Sequence, residues 1–279
     1  MVIGRALSRL TGTIGYYGVL AIVALLALGP ALWVILSSFK TGTQVFSGGD
    51  LIPSPWSLKG YRDAFEQVHL HRYLLNTALY AAGGTLGSLA IALLAAYPLA
   101  RFEFAGRNTM VALFSLALAI PVVGMATPEF FVMRELGLYD SQLGLIVFYS
   151  ALSFPLAFVI LRAFLVNVPS EVEEAALIDG AGYFTIVRRI VIPLSRPALA
   201  TVAVISFVSI WNEFFFANLF TASVEHQNAQ LAMASFKSLF GFNVSGMLAG
   251  ATLVMLVPML VFLLLQRQVI AGLTAGSTK

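Results

Sequence analysis

Long apolar runs alternate along this chain with short polar connections. Six of these runs, over 14–37, 74–100, 109–131, 143–165, 197–217 and 247–271, approach or exceed the roughly 20 residues that a helix needs to cross about 30 Å of hydrocarbon. A stretch such as Leu89-Ala90-Ile91-Ala92-Leu93-Leu94-Ala95-Ala96 does not alternate apolar with polar, which excludes a membrane β-barrel. The pattern predicts an all-α polytopic membrane protein with six transmembrane helices. It is expected to form a single domain over 1–279 with its core at about 70–271.

Interruptions within the runs carry the next layer of information. Pro121, Gly124 and Pro128 break the third span, and carbonyls freed at membrane depth are tolerated only where protein or a water cavity receives them, so this span is expected to line a path. Glu129, and Glu213 within Trp211-Asn212-Glu213, are the carboxylates nearest the hydrocarbon; they serve either as functional groups or as anchors at the headgroup level. Gly83, Gly84, Gly87, Ser88 and Ala92 make a small-residue face that lets helices approach closely. Between the first two spans, Leu58, Tyr61, Phe65 and Val68 recur at helical spacing opposite Lys59, Arg62, Asp63 and Glu66. This predicts a helix that lies on the membrane surface or meets a partner. The connection after the fifth span is polar through Glu225-His226-Gln227-Asn228.

Composition narrows the class. The chain is 59% hydrophobic and only 10% charged, far from the roughly 25% charged of a soluble domain. Its net charge of +3 is small and scattered, so no nucleic-acid footprint is present. Arg5 and Arg9 precede an apolar run too long for a secretory signal, which makes it an uncleaved first span. Arg101, Arg107, Arg162, Arg188, Arg189, Arg196 and Arg267, with Arg5, Arg9 and Lys279, lie on one side, against Lys40, Lys59, Arg62, Arg72, Arg134 and Lys237 on the other. That asymmetry places both termini in the cytoplasm. No lysine follows a glycine, so there is no P-loop for ATP. His69 and His71 are two apart, on different sides of a helix, and make no metal site; no catalytic constellation stands out.

One segment is out of character. After the fourth span, 166–193 is polar and punctuated. Ser170 is placed to cap a helix with Glu173 closing a capping box, an acidic first turn follows, and Gly180 and Gly182 can take the left-handed conformation that ends it. A second helix is expected from Tyr183 to Ile192, ended by Pro193, with Phe184, Val187, Ile190 and Val191 as an apolar stripe beside Arg188 and Arg189. The expected product is a rigid helical hairpin facing water, with Glu171, Glu173 and Glu174 solvated.

Glu174-Ala175-Ala176, three residues, Gly180, nine residues and Ile190-Val191-Ile192-Pro193 resemble the E-A-A-x3-G-x9-I-x-L-P signature of permease subunits in bacterial binding-protein-dependent ABC importers, with Ile192 in place of leucine. Ala96-Tyr97-Pro98-Leu99-Ala100-Arg101-Phe102, Leu136-Gly137-Leu138-Tyr139-Asp140-Ser141 and Trp211-Asn212-Glu213-Phe214 look like the carbohydrate branch. Gln266-Arg267 through Gly272-Leu273-Thr274-Ala275-Gly276 is similar to the tail of the maltose-type second permease.

The resemblance implies a type I ABC importer transmembrane domain in the bacterial cytoplasmic (inner) membrane. It implies a second homologous permease, two cytosolic ATPase subunits that bind ATP and Mg, and an extracytoplasmic solute-binding protein that delivers a carbohydrate. This chain itself would hold no cofactor and act as a non-catalytic translocation subunit. The hairpin would be the coupling loop, with Glu173, Glu174, Ala175, Ala176, Asp179 and Gly180 meeting the ATPase. Sugars are held by aromatic stacking and hydrogen bonds, which singles out Trp211, Asn212 and Glu213, then Tyr149, Phe215 and Asn218. Either these line the sugar path, or the partner permease holds most of the sugar and they shape the path. The rival readings are a permease for a peptide, amino acid or glycerol phosphate, a secondary transporter, and a receptor or scaffold.

Overall fold

The computed structural model describes residues 2–48, 50–238 and 241–275. Gly276 of the tail motif and Lys279 of the charge count lie outside them, as do the side chains of Arg5, Arg9 and Lys237. Among the described residues the regular structure is helical apart from an antiparallel ladder pairing Lys237–Ser238 with Gly241–Phe242. It divides into two compact units, one made of the residues up to Leu70 with Met233–Val254, the other of His71–Ala232 with the chain from Met255 onward.

In the first unit, α1 (Val2–Ser37) carries the expected first span over Tyr16–Ser37. A short α2 (Gly42–Ser47) follows. Thr41 caps it in a reciprocal box: the Gln44 amide N–H donates to the Thr41 hydroxyl, and the Thr41 N–H donates to the Gln44 side chain at 2.8 Å. The surface helix α3 (Lys59–Glu66) forms where expected but buries a different face, that of Gly60, Asp63 and Ala64, while Leu58 and Phe65 stay exposed. The physical reason is close backbone packing. Without a Cβ at Gly60, the Ser245 carbonyl can approach α3 directly, and buried Asp63 then accepts from the Asn243 amide at 2.9 Å. Tyr61 meets the Ser38 hydroxyl at 2.7 Å.

The second unit carries α4 (Leu70–Arg101), α5 (Arg107–Leu116), α6 (Ala126–Glu135) and α7 (Gln142–Asn167). These are followed by α8 (Glu171–Ile178), α9 (Tyr183–Ile186), α10 (Ile192–Leu194), α11 (Arg196–Trp211), α12 (Phe215–Phe220) and α13 (Ala229–Ala232). The last helix, α14 (Val244–Ala275), begins in the first unit and ends in the second.

Four of the six expected spans are each one helix long and apolar enough to cross a membrane; the third and fifth are not. The third consists of α5 and α6, bent by 92° across 3-10 turns around Pro121, which cannot donate a backbone hydrogen bond. Its interruption was legible in the sequence; its sharpness was not. The fifth is α11 alone, only 16 residues, or about 24 Å, and it bends by 74° at Ser195 from the Tyr183–Leu194 segment before it.

Close approach of α4 to α7 and α11 depends on the small-residue face read from the sequence. A Cβ at Gly84 would lie 2.8 Å from Tyr149 Cβ and 2.9 Å from Ile210 Cδ1, and one at Gly87 would collide with Ser150. Phe158, Leu161 and Leu165 of α7 form a core with Ala96 and Tyr97 of α4, Ile186 and Val191 of the hairpin, and Ala198 and Val202 of α11. The hairpin is therefore built into the helical core and does not hang from it.

Candidate functional site

The hairpin at 170–195 departs from its expected chemistry at both ends. At its start, Ser170 has helical dihedrals and makes no capping bond to the backbone; its hydroxyl donates to Glu174 Oε1 at 2.7 Å. Glu173 is not in a capping box. It is 6% exposed and turns inward, accepting from Arg101 Nε at 2.9 Å and from the Tyr97 hydroxyl at 3.0 Å, with Arg101 Nη2 2.7 Å from Oε1. A buried charge needs a partner more than a helix needs a cap, and α4 ends where it offers two donors. Glu173 is thus the anchor that fixes the hairpin to α4, and only Glu171 and Glu174 are solvated as expected.

The C-terminus of α8 follows local rules fully. Gly180 has φ +81°, its N–H donates to Leu177 O at 3.0 Å, and the Ala181 N–H donates to Ala176 O at 2.9 Å. This is a Schellman motif, with Ala176 and Ala181 both packed on the core. The second arm runs past Pro193. A π-helical turn over Val187–Val191 widens the ladder ahead of the proline, and the break falls at Ser195. Ile186 and Val191 are buried with Val187 and Ile190 beside them, whereas Phe184 falls off the stripe and is 79% exposed.

The hairpin therefore has one face locked and one face bare. Ile178 is 86% exposed, and Val172, Leu177, Tyr183 and Phe184 are also exposed, as are Ala175 and Asp179. Exposed apolar side chains clustered on a charged loop mark a surface that meets another molecule.

A second polar layer lies at the other end of α4. Asn76 donates to Glu225 O at 2.7 Å and to Gln227 O at 2.9 Å, the Tyr80 hydroxyl donates to His226 O at 2.7 Å, and Thr77 accepts from the Ala229 N–H at 2.8 Å. Asp140, in the left-handed region at φ 53°, gathers the Ala222 and Ser223 N–H groups at 3.0 Å each, the Ser223 hydroxyl at 2.8 Å and His226 Nδ1 at 3.2 Å on one oxygen. Burial alone would raise its pKa, but these donors outweigh it and hold the carboxyl at about 2. Asn76 and Arg101 are 25 residues apart on one helix, about 38 Å, so the two polar layers bracket the hydrocarbon thickness. Asn76 and Tyr80 escaped the sequence reading, because single polar residues at span ends carry no local pattern; Asp140 and His226 stood there only within a motif and a polar connection, with no pairing between them.

The residues selected for the solute path divide into two groups. Trp211 is 1% exposed and stacks on Phe207, and Tyr149 is fully buried with its hydroxyl 2.8 Å from Glu213 Oε2. Glu213 caps α12 by accepting from the Phe216 and Ala217 N–H groups at 2.9 Å each. These three hold the α11 to α12 break together, and it is Asn212, Phe215 and Asn218 that are exposed.

Similar proteins give the arrangement a context. Residues 88–274 match the family described as binding-protein-dependent transport system inner membrane component. The trehalose transport system permease protein SugB of Mycobacterium tuberculosis is 34% identical over 95% of this chain and 97% of its own length. The diacetylchitobiose uptake system permease protein NgcG of Streptomyces coelicolor is 30% identical over 94% of this chain and 87% of its own. The fold is shared with a chain from the crystal structure of a bacterial ABC transporter involved in the import of the acidic polysaccharide alginate. The TM-score is 0.80 at 24% identity, covering 94% of this chain and 96% of that one.

Proposed function

Because the chain belongs to the family of binding-protein-dependent transport system inner membrane components, we propose that it is the translocation subunit of an ATP-driven importer for a carbohydrate. The sugars in the relatives' names support the cargo class over a peptide, an amino acid or an ion-coupled secondary transporter. In this reading a second permease pairs with the chain, a solute-binding protein delivers the sugar from outside, and two ATPase subunits dock on the hairpin side, with both termini in the cytoplasm. Nucleotide and Mg belong to those subunits.

The observation that carries the reading is the two-faced hairpin. Its inner face is tied to α4 through Glu173, Tyr97 and Arg101 and to the core through Ile186 and Val191, while Ile178 and Phe184 project bare. A lever of this kind transmits rigid-body motion, because a push on the bare face reaches α4, α7 and α11 without being absorbed in a loop. Glu171, Glu174, Ala175 and Asp179 lie on the surface an ATPase would meet, and Gly180 sets the turn. Glu173 contributes by fixing the lever, not by touching the ATPase.

The chain has no cysteine, which makes the test direct. In the assembled importer, Ile178→Cys is expected to cross-link to a cysteine introduced in the ATPase with a yield that changes between nucleotide-free and nucleotide-bound states. Absence of any cross-link from positions 178 and 184, in an importer that still takes up sugar, would remove the docking assignment.

A further inference from the structure

The broken third span holds a half-buried glutamate, one of whose carboxyl oxygens has no hydrogen-bond partner among the described residues. Glu129 stands in the first turn of α6, just past the 92° bend, and its Oε2 is enclosed without a hydrogen-bond partner. It lines a cavity of about 270 Å³ with Ala117, Leu118, Ile120, Val122, Phe148 and residues of α7 from Ala151 to Pro155. Every other lining residue is apolar, and none is cationic. An enclosed carboxyl oxygen with no donor is costly, and buried polar groups are otherwise satisfied in nearly all cases. Glu213 and Glu173, the other carboxylates close to the spans, are fully engaged by internal donors, so Glu129 is the exception.

We propose that Glu129 is a recognition residue for the transported solute, and that the solute class it selects is a neutral sugar. This rests on the carbohydrate-import reading above and narrows it. A sugar presents hydroxyl donors on its edges and C–H groups on its faces, which matches one carboxyl set among Phe148 and aliphatic walls. A turn about the terminal torsion of the glutamate, which is soft, exchanges the two oxygens and brings the enclosed one to the ligand. An acidic sugar would enter beside this carboxyl with no counter-charge on the wall, so it is rejected by desolvation as well as by charge. At about 270 Å³ the cavity falls just below the roughly 300 to 1,000 Å³ typical of ligand pockets, so it accommodates one ring at a time as the chain of sugar units passes. The bend brings residues from both of its sides to one cavity: Ala117, Leu118 and Ile120 before Pro121, and Val122 and Glu129 after it.

The test uses the complete importer in liposomes, with its partner permease, ATPase and binding protein, and four labelled probes: trehalose, maltose, N,N′-diacetylchitobiose and digalacturonate. Wild type is expected to take up at least one neutral probe and to exclude digalacturonate. For that neutral probe, Glu129→Leu is expected to raise the half-saturating concentration of uptake roughly tenfold to a hundredfold, the loss of one hydrogen bond to a charged group. Glu129→Gln, which keeps a carbonyl acceptor, should recover most of it. Three results overturn the proposal: unchanged half-saturation in Glu129→Leu, preference of wild type for digalacturonate, or loss of the partner permease from purified Glu129→Leu, which would mean that the partner supplies the missing donor. If wild type takes up none of the four, the carbohydrate reading itself falls, and that outcome is visible before any variant is compared.

Discussion

Replacing Glu173 with alanine should unfasten the hairpin without unfolding the spans. The substitution removes the acceptor of Tyr97 and leaves Arg101, whose side chain is only 11% exposed, without its carboxylate. Breaking a buried pair from one side costs about 3 to 5 kcal/mol, because the stranded charge is desolvated and unmatched. Each 1.4 kcal/mol is a factor of about ten. The equilibrium between locked and loose hairpin should therefore shift by about two to three and a half powers of ten. Hydrogen exchange followed by mass spectrometry on the purified protein reads this directly: amides of α8 and of the Schellman turn should lose protection by that factor, while α7 keeps its own. The double variant Glu173→Ala with Arg101→Met should regain much of the protection, since no charge is left stranded and the methionine restores apolar volume. Unchanged exchange in the single variant, or a double variant looser than the single, would refute the anchoring role and return Glu173 to the docking surface.

Three further outcomes follow from the same geometry. Gly180→Ala meets open space but must hold φ +81°, a cost of about 1 to 2 kcal/mol for a residue with a Cβ, so it should loosen the turn in hydrogen exchange by about tenfold and lower uptake; wild-type exchange would count against the Schellman assignment. Asp140 should make stability depend on acid. Its folded pKa of about 2 lies below its ordinary 3.8, so its contribution is complete above about pH 4 and is lost as pH falls toward 2. The gap in melting temperature between wild type and Asp140→Asn should close as pH falls from about 4 toward 2. Glu213→Ala should destabilise the junction of α11 and α12 by about 1 kcal/mol or more, as loss of a helix cap does, and a thermal melt equal to wild type would leave Glu213 free for the solute.

The hairpin shows how far local reasoning reaches. Gly180 as a left-handed stop is a property of the six consecutive residues from Ala176 to Ala181 and their hydrogen bonds, so it was legible. Ser170 and Glu173 look like a capping pair by spacing, yet Tyr97 and Arg101, more than 70 residues away, draw the carboxylate to themselves. Pro193 looks like a helix breaker, and the π turn before it absorbs the missing bond instead. The same contrast holds for α3, where the periodicity placed a helix correctly but Gly60 and Asp63 chose its buried face through Ser245 and Asn243.

What the sequence alone determined was whatever depends on the solvent or on neighbours along the chain. The length and apolarity of the spans, the small face of α4, the interruption at Pro121 and the helical hairpin at 170–193 all follow from the demand that backbone groups be satisfied inside hydrocarbon and that turns have residues able to make them. The tertiary structure decided which polar groups are spoken for. Trp211, Tyr149, Glu173 and Glu213 are in use, Asn212, Ile178 and Phe184 are on offer, and Glu129 keeps one enclosed oxygen without a partner among the described residues. A partner on another helix leaves no mark in the local sequence, because the energy of a buried hydrogen bond depends on where its donor stands in space and not on how far away it lies along the chain.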